Sequence, residues 1–347
     1  MSVAEIGSLA AAAALLSALF THLSLRYALR LDMLDHPGAR RSHQTPTPRG
    51  GGAAIVLVLG LSVLWLPLPV LPAWSLLLAV GAVALIGWID DHRSLPVLPR
   101  LAVHAVAAAT LVVGLMWEAW SVSALSPLTL LLLPLLVVAG INFCNFMDGI
   151  NGIASSQAAL VLVACAVLIW PAAPVWAAVF TVAAAACCGF LPFNFPRARI
   201  FLGDVGSGAL GLLVMAALIQ VWWLSRIPAA ALLLLISAFA LDAVLTLVQR
   251  VVQGKRWYRP HREHLYQWWV RSGQSHTAVT IRYAVWTLLM IGLLVLGRHW
   301  PNNVWNLLAA IMLPAAAVGW YLAKRRVLVQ VAKRSRSERS PMKAGSR

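Results

Sequence analysis

Apolar runs long enough to cross a bilayer recur along nearly the whole chain, and they leave it few folds to choose from. A helix needs about 20 residues to span the hydrocarbon core, and within that core each backbone polar group must be paired inside its own segment. Eleven runs read as spans, at roughly 6–25, 51–67, 74–89, 100–117, 127–143, 153–170, 174–190, 206–223, 228–249, 277–297 and 303–322. Of the 347 residues 61% are hydrophobic and 11% charged, where a soluble domain carries about a quarter charged. The expected fold class is all-α, a polytopic integral membrane protein of about 11 transmembrane helices. One integral-membrane domain covers 1–323, and a basic, disordered cytoplasmic tail covers 324–347.

Lys and Arg set the orientation. With the N-terminus periplasmic, the inner loops carry Arg26, Arg30, Arg40, Arg41 and Arg49, then Arg93, then Arg197 and Arg199, then Arg250 to Arg271, and last the tail from Lys324. The outer loops hold only Arg226 and Arg298. The C-terminus is then cytoplasmic. The first run follows Glu5 with no Lys or Arg ahead of it, the pattern of an uncleaved anchor. The net charge of +16 is positive-inside bias plus the tail, which would lie against anionic lipid headgroups. No aromatic residues interleave the basic ones as in a nucleic-acid site, so no nucleic-acid partner is expected. A homodimer is left open. Cys144, Cys165, Cys187 and Cys188 have no metal-ligand spacing and read as buried free thiols.

Against this background the carboxylates stand out, because an ionised group at membrane depth is costly. Asp90-Asp91 ends the third span. Adjacent carboxylates repel unless a cation lies nearby. They read either as a proton acceptor or metal-orienting pair, or as a solvated helix end with Arg93 as counter-ion. Asn142-Phe143-Cys144-Asn145-Phe146-Met147-Asp148-Gly149-Ile150-Asn151-Gly152 is the densest polar cluster. Its amide and carboxylate oxygens suit a hard cation such as Mg2+. Gly203-Asp204-Val205-Gly206-Ser207-Gly208 opens the eighth span, where glycines and a helix N-terminus could hold phosphate, or Asp204 could simply cap the helix. Leu191-Pro192-Phe193-Asn194-Phe195-Pro196 precedes it. Orientation puts Asp90, Asp91, Asp148 and Asp204 at the cytoplasmic face, so that face is the expected active-site side.

Two further inner loops are suited to anions. Asp35–His43 leads into Pro46-Thr47-Pro48-Arg49-Gly50-Gly51-Gly52, whose Arg and glycine N–H groups could contact an anionic substrate. Arg259-Pro260-His261-Arg262-Glu263-His264-Leu265-Tyr266-Gln267 lies in the longest inner loop, and its Arg and His could grip a diphosphate or carboxylate. Asp242, alone inside the ninth span, reads as a buried polar residue facing the bundle.

These motifs, in this order, resemble the polyprenyl-phosphate N-acetylhexosamine-1-phosphate transferases, or glycosyltransferase family 4, which include O-antigen and teichoic-acid initiators and the phospho-MurNAc-pentapeptide translocase. The resemblance covers nearly the whole chain. It implies Mg2+-dependent transfer of a sugar 1-phosphate from a UDP-N-acetylhexosamine to undecaprenyl phosphate at the cytoplasmic face of a bacterial inner membrane, with Mn2+ an alternative metal. Carried over, Asp204 is the main metal ligand and Asn145 a second. Asp90, Asp91 and Asp148 are the catalytic carboxylates. Asn142, Asn151, Arg49, Arg100, Asn194, His261, Arg262 and His264 bind substrate, with Arg100 placed for the lipid phosphate. Asn151 departs from the Asp common in bacterial members. The loop reads His-Arg-Glu-His rather than three consecutive histidines, which disfavours a MurNAc-pentapeptide donor and favours UDP-GlcNAc or 6-deoxy relatives such as UDP-QuiNAc or UDP-FucNAc. The competing class is a cation- or proton-coupled transporter, which would place its charges near the bilayer midplane.

Overall fold

The computed structural model describes residues 1–36, 45–121, 126–256 and 261–339. Its helices are α1 (Val3–Arg30), α2 (Ala53–Trp65), α3 (Val70–His92), α4 (Val97–Ser121), α5 (Pro127–Met147), α6 (Ile153–Ile169), α7 (Pro174–Asn194), α8 (Gly203–Leu224), α9 (Ala229–Leu235), α10 (Ser237–Val252), α11 (Leu265–Arg271), α12 (His276–Gly297) and α13 (Asn302–Arg339). Among the described residues the strands are two dipeptides, β1 (Leu34–Asp35) and β2 (Thr47–Pro48). They pair antiparallel across the first loop, Leu34 with Pro48 and Asp35 with Thr47.

Each expected apolar run holds helix, but length separates them. Among the described residues eight helices are long and apolar enough to cross a membrane, or nine if α9 and α10, bent by 84° at their junction, count as one span. The helices α2 and α6 have 13 and 17 residues, short of the about 20 that a straight span needs. The figure of about 11 therefore counts apolar segments, of which eight or nine pass as full spans. Helix α13 shows no break at residue 324 and continues through the basic stretch to Arg339. The end of the tail, 340–347, lies outside the described residues, as do Arg40, Arg41 and His43 of the first loop and Arg259 and Pro260 of the later one.

The core gathers around α8, which is buried along almost its whole length from Val205 to Val221. Such a helix has no polar face to give it a direction. What positions it is small residues. At Gly87 of α3 an added Cβ would lie 2.4 Å from the Asp204 carbonyl oxygen, and at Gly52 it would lie 2.2 Å from Gly206 Cα. Backbone meets backbone at both points, so α3 and the entry to α2 are pressed against the first turn of α8.

The same contact accounts for the Gly50–Gly52 run. Gly51 N–H donates to Phe201 O at 2.9 Å, Gly52 N–H to Leu202 O at 2.8 Å, and Phe201 N–H to Pro48 O at 2.8 Å. These glycine N–H groups tie the first loop to the α7–α8 connection. They are not turned to an anion, as the sequence had suggested, because the backbone carbonyls of 201 and 202 reach them first.

Candidate active site

Successive residues on a helix point about 100° apart, and this separates Asp90 from Asp91 at the end of α3. Asp90 turns toward the start of α4. Its Oδ1 accepts the Leu95 N–H, and its Oδ2 lies 2.6 Å from Arg100 Nη1. Asp91 is 3% exposed and turns toward α8, where its two oxygens accept the Asp204 N–H at 3.1 Å and the Val205 N–H at 3.2 Å. The first amides of a helix have no partner within it, and here a carboxylate from another helix supplies one. The α8 N-terminus, read from sequence either as a phosphate site or as a helix start capped by Asp204, is thus capped by Asp91. The two carboxylates thus have different partners.

Asp204 sits between two compartments. Its Oδ2 lies 3.0 Å from Arg100 Nη1, and its Oδ1 accepts Asn145 Nδ2 at 2.9 Å. That amide nitrogen also donates to Ser207 Oγ at 3.1 Å. Asn145 therefore meets Asp204 with N–H, not with the ligating oxygen expected of it, since a carboxylate takes donors. Arg100, Asn142 and Asn145 line a small pocket behind Asp204 together with His104. Asn142 donates back to Val138 O at 2.7 Å within its own helix.

In front of Asp204 lies a polar cavity of about 240 Å3. Asp91, Asp148 and Asp204 line it, with Arg49 and Asn151. Its walls come from the first loop, the end of α3, the α5–α6 and α7–α8 connections, α11 and the start of α12. Loops far apart in sequence thus meet at one end of the bundle. A second, larger cavity of about 500 Å3, between α10, α12 and α13, is walled mainly by tryptophan, alanine and other apolar side chains.

Four carboxylates, Asp35, Asp91, Asp148 and Asp204, against one arginine would repel a bare diphosphate. Among the described residues no three His, Cys, Asp or Glu side chains stand close enough to form a closed metal site. An Mg2+ site does not need one, because that ion is commonly held by one or two carboxylates, substrate phosphates and water. The carboxylate oxygens on this cavity fit it, with Asp204 foremost. A divalent ion would also offset the charge that otherwise excludes the substrate.

Asp148 is outside the spans, at the end of α5, and half-buried. Burial pushes its carboxyl up to about 7, and the charge of Asp91 adds to the rise. The folded protein then keeps this proton across a window, from about pH 4 to about pH 7, in which the unfolded chain has lost it. Its contribution to stability falls as pH rises through that window and levels off above it. In metal-free buffer the melting temperature of Asp148→Asn should therefore fall less between pH 5 and pH 7 than that of the wild type; parallel curves would refute the shift.

Other expected residues have different placements. Asn194 is 3% exposed. Its Oδ1 accepts the Gly152 N–H at 2.7 Å and its Nδ2 donates to Ile200 O at 2.9 Å. It borders the cavity, but its amide is committed to joining two loops. Asn151 Nδ2 donates to Pro196 O at 3.0 Å, and Asn151 N–H to His276 Nδ1 at 3.4 Å. His261, Arg262 and His264 do not line the cavity. Burial, then the nearby His264 and Arg250, push His261 down to about 4. Burial also lowers His264, against the pull of Asp242. Burial thus disfavours the charged form of both rings. His264 is 2% exposed and stacks on Phe146 and Tyr266, with ring centroids 6.2 and 5.9 Å away.

Gln267, His276 and Asp35 line the cavity although none was named as a site residue from sequence; Asp35 and Gln267 appeared there only as the ends of the two loop motifs. Gln267 Oε1 accepts the His264 N–H at 3.3 Å and its Nε2 donates to Tyr266 OH at 3.1 Å. A Gln three residues beyond His264 at a helix start is the one local signal that could have marked it.

Residues 73–222 match the family model described as glycosyl transferase family 4. The decaprenyl-phosphate N-acetylglucosaminephosphotransferase of Mycobacterium leprae is 31% identical to the chain, over 93% of it and 92% of the relative. The undecaprenyl-phosphate alpha-N-acetylglucosaminyl 1-phosphate transferase of Salmonella typhimurium is 25% identical over 94% of each. The phospho-N-acetylmuramoyl-pentapeptide-transferase of Bacillus pumilus is 30% identical, over 42% of the chain and 45% of the relative.

Proposed function

The chain belongs to glycosyl transferase family 4, and from that premise we propose that it transfers N-acetylglucosamine 1-phosphate from UDP-GlcNAc to undecaprenyl phosphate or a similar polyprenyl phosphate. It is a multi-pass bacterial membrane protein, and the reaction is assigned to the cytoplasmic face, where the Lys and Arg of the inner loops gather. The observation that carries the reading is the polar cavity with Asp91, Asp148, Asp204 and Arg49 on its wall. A carrier has no evident use for such a group of carboxylates at one end of the bundle, and both full-length relatives named above are phosphotransferases.

In the proposed step a phosphate oxygen of the lipid attacks the β-phosphorus of the UDP-sugar. A new P–O bond forms, the bond from that phosphorus to the α–β bridging oxygen breaks, and the electron pair leaves with UMP. The lipid phosphate is already largely ionised near pH 7, so no strong base is required. Catalysis is then positioning and charge neutralisation. Arg49 lies on the wall to meet the diphosphate, and Asn151 and His276 border the donor end. Arg100, held by Asp90 and Asp204, stands ready for the acceptor phosphate. Asp91 fixes the turn that carries Asp204. Mg2+, when bound at Asp204, would supply neutralisation of the phosphate oxygens.

The test is purified protein with undecaprenyl or decaprenyl phosphate and Mg2+, against UDP-GlcNAc, UDP-QuiNAc, UDP-FucNAc and UDP-MurNAc-pentapeptide. UMP release with UDP-GlcNAc that needs both lipid and divalent cation is the expected result. Turnover only with another donor would overturn the choice of sugar, and none with any donor would overturn the transferase reading.

A further inference from the structure

Asp242 is 1% exposed within α10 and is the most heavily hydrogen-bonded carboxylate in the described residues. Its Oδ1 accepts the Leu265 N–H at 2.8 Å, Trp320 Nε1–H at 2.9 Å and Thr246 Oγ1 at 3.3 Å. Its Oδ2 accepts Tyr283 OH at 2.7 Å and the Tyr266 N–H at 3.3 Å. One side chain thus joins α10, α11, α12 and α13. Burying a carboxylate is costly unless all its lone pairs are engaged, and here they are.

What it holds lies next to the site. Tyr266 receives its backbone hold from Asp242 and sends its hydroxyl to Phe146 O at 2.9 Å, two residues before Asp148. Gln267, the next residue, donates to that hydroxyl and lines the polar cavity. A Cβ at Gly149 would sit 2.1 Å from the same oxygen, so the α5–α6 turn closes directly on Tyr266. The path from Asp242 to the cavity wall is two hydrogen bonds long.

We propose that Asp242 is a positioning residue for the nucleotide-sugar donor: it fixes the start of α11, and through Tyr266 and Gln267 it sets the wall against which Asp148 and Asn151 face the donor. It touches neither substrate. The proposal rests on the functional reading above only for the identity of the donor.

The test uses the full-length protein in nanodiscs. Amide exchange over Leu265–Gln267 is followed without ligand in Asp242→Asn and Asp242→Ala, and KM and kcat are measured for UDP-GlcNAc and for the lipid phosphate. Faster exchange at these amides, a donor KM raised about tenfold or more, and kcat and lipid KM within about twofold are expected. Trp320→Phe, which removes one of the donors and spares both backbone contacts, should leave the donor KM near wild type. Unchanged exchange at 265–267 in folded protein would overturn the proposal. So would a fall in melting temperature with donor KM unmoved, which is the mark of a merely structural group. If Asp242→Ala does not fold, Asp242→Asn decides alone. If the wild type shows no turnover, the functional reading fails while the exchange data still decide whether Asp242 anchors the wall.

Discussion

Asp204→Asn is expected to lower kcat by about a thousandfold while the protein stays folded. The side chain sits between the polar cavity and the Arg100 pocket, with one oxygen toward Arg100 and the other toward Asn145. Asparagine keeps the shape and removes the charge. It loses the foremost anchor for a divalent ion and turns an N–H toward groups that are themselves donors. Losing one preorganised electrostatic group in an active site costs about 10² to 10³ in rate, and losing the metal's hold adds to it. UMP release by the purified variant, beside a melting curve within a few degrees of wild type, checks this. Turnover near wild type would sink the assignment of Asp204 as metal ligand.

Gly87→Ala should be nearly as damaging without touching any polar group. The new methyl would lie 2.4 Å from the Asp204 carbonyl oxygen and 2.5 Å from its carbon, both of them backbone. No rotamer relieves that, so α3 and α8 must move apart. Forcing atoms into a packed interior costs about 1 to 3 kcal/mol. A displacement of about 1 Å among reacting groups costs about a hundredfold in rate. We expect a lower melting temperature and a kcat down about a hundredfold. Gly81→Ala on the same helix, where nothing lies within 4 Å, should match wild type. Equal activity in both variants would show that α3 does not set the position of Asp204.

Much of the fold was legible because lipid imposes a simple rule. Each apolar run became helix, and the bias of Lys and Arg grouped the loops that the structure brings together. Hydropathy carries no direction, however, so the 84° bend at Ile236, with no proline to mark it, could not be read. Nor could the shortness of α2, whose expected first residues are spent on backbone contacts at Gly51 and Gly52. At the site, Asp148, Asp204, Arg49 and Asn151 were readable because charge and amides are rare in such a chain. Asp90 and Asp91 looked like a pair because sequence shows adjacency and not the turn of a helix. Gln267 and His276 were missed because they come from distant elements and their residue types are ordinary in loops. His261 and His264 were read as part of a loop facing an anion, and sequence could not show that they lie away from the polar cavity.

The bond from Asp91 to the first amides of α8 has a consequence for how genetics on this chain would read. Alanine at either of two neighbouring aspartates is expected to lower activity, and a scan would score both as equal members of one reactive dyad. The losses would have unlike origins. At Asp90 an arginine loses one of its two carboxylate anchors. At Asp91 a helix loses the brace on its opening turn, and the defect appears one element away, at Asp204. A loss-of-function map ranks importance by outcome. Here two adjacent letters with the same phenotype would be reporting on different parts of the machine.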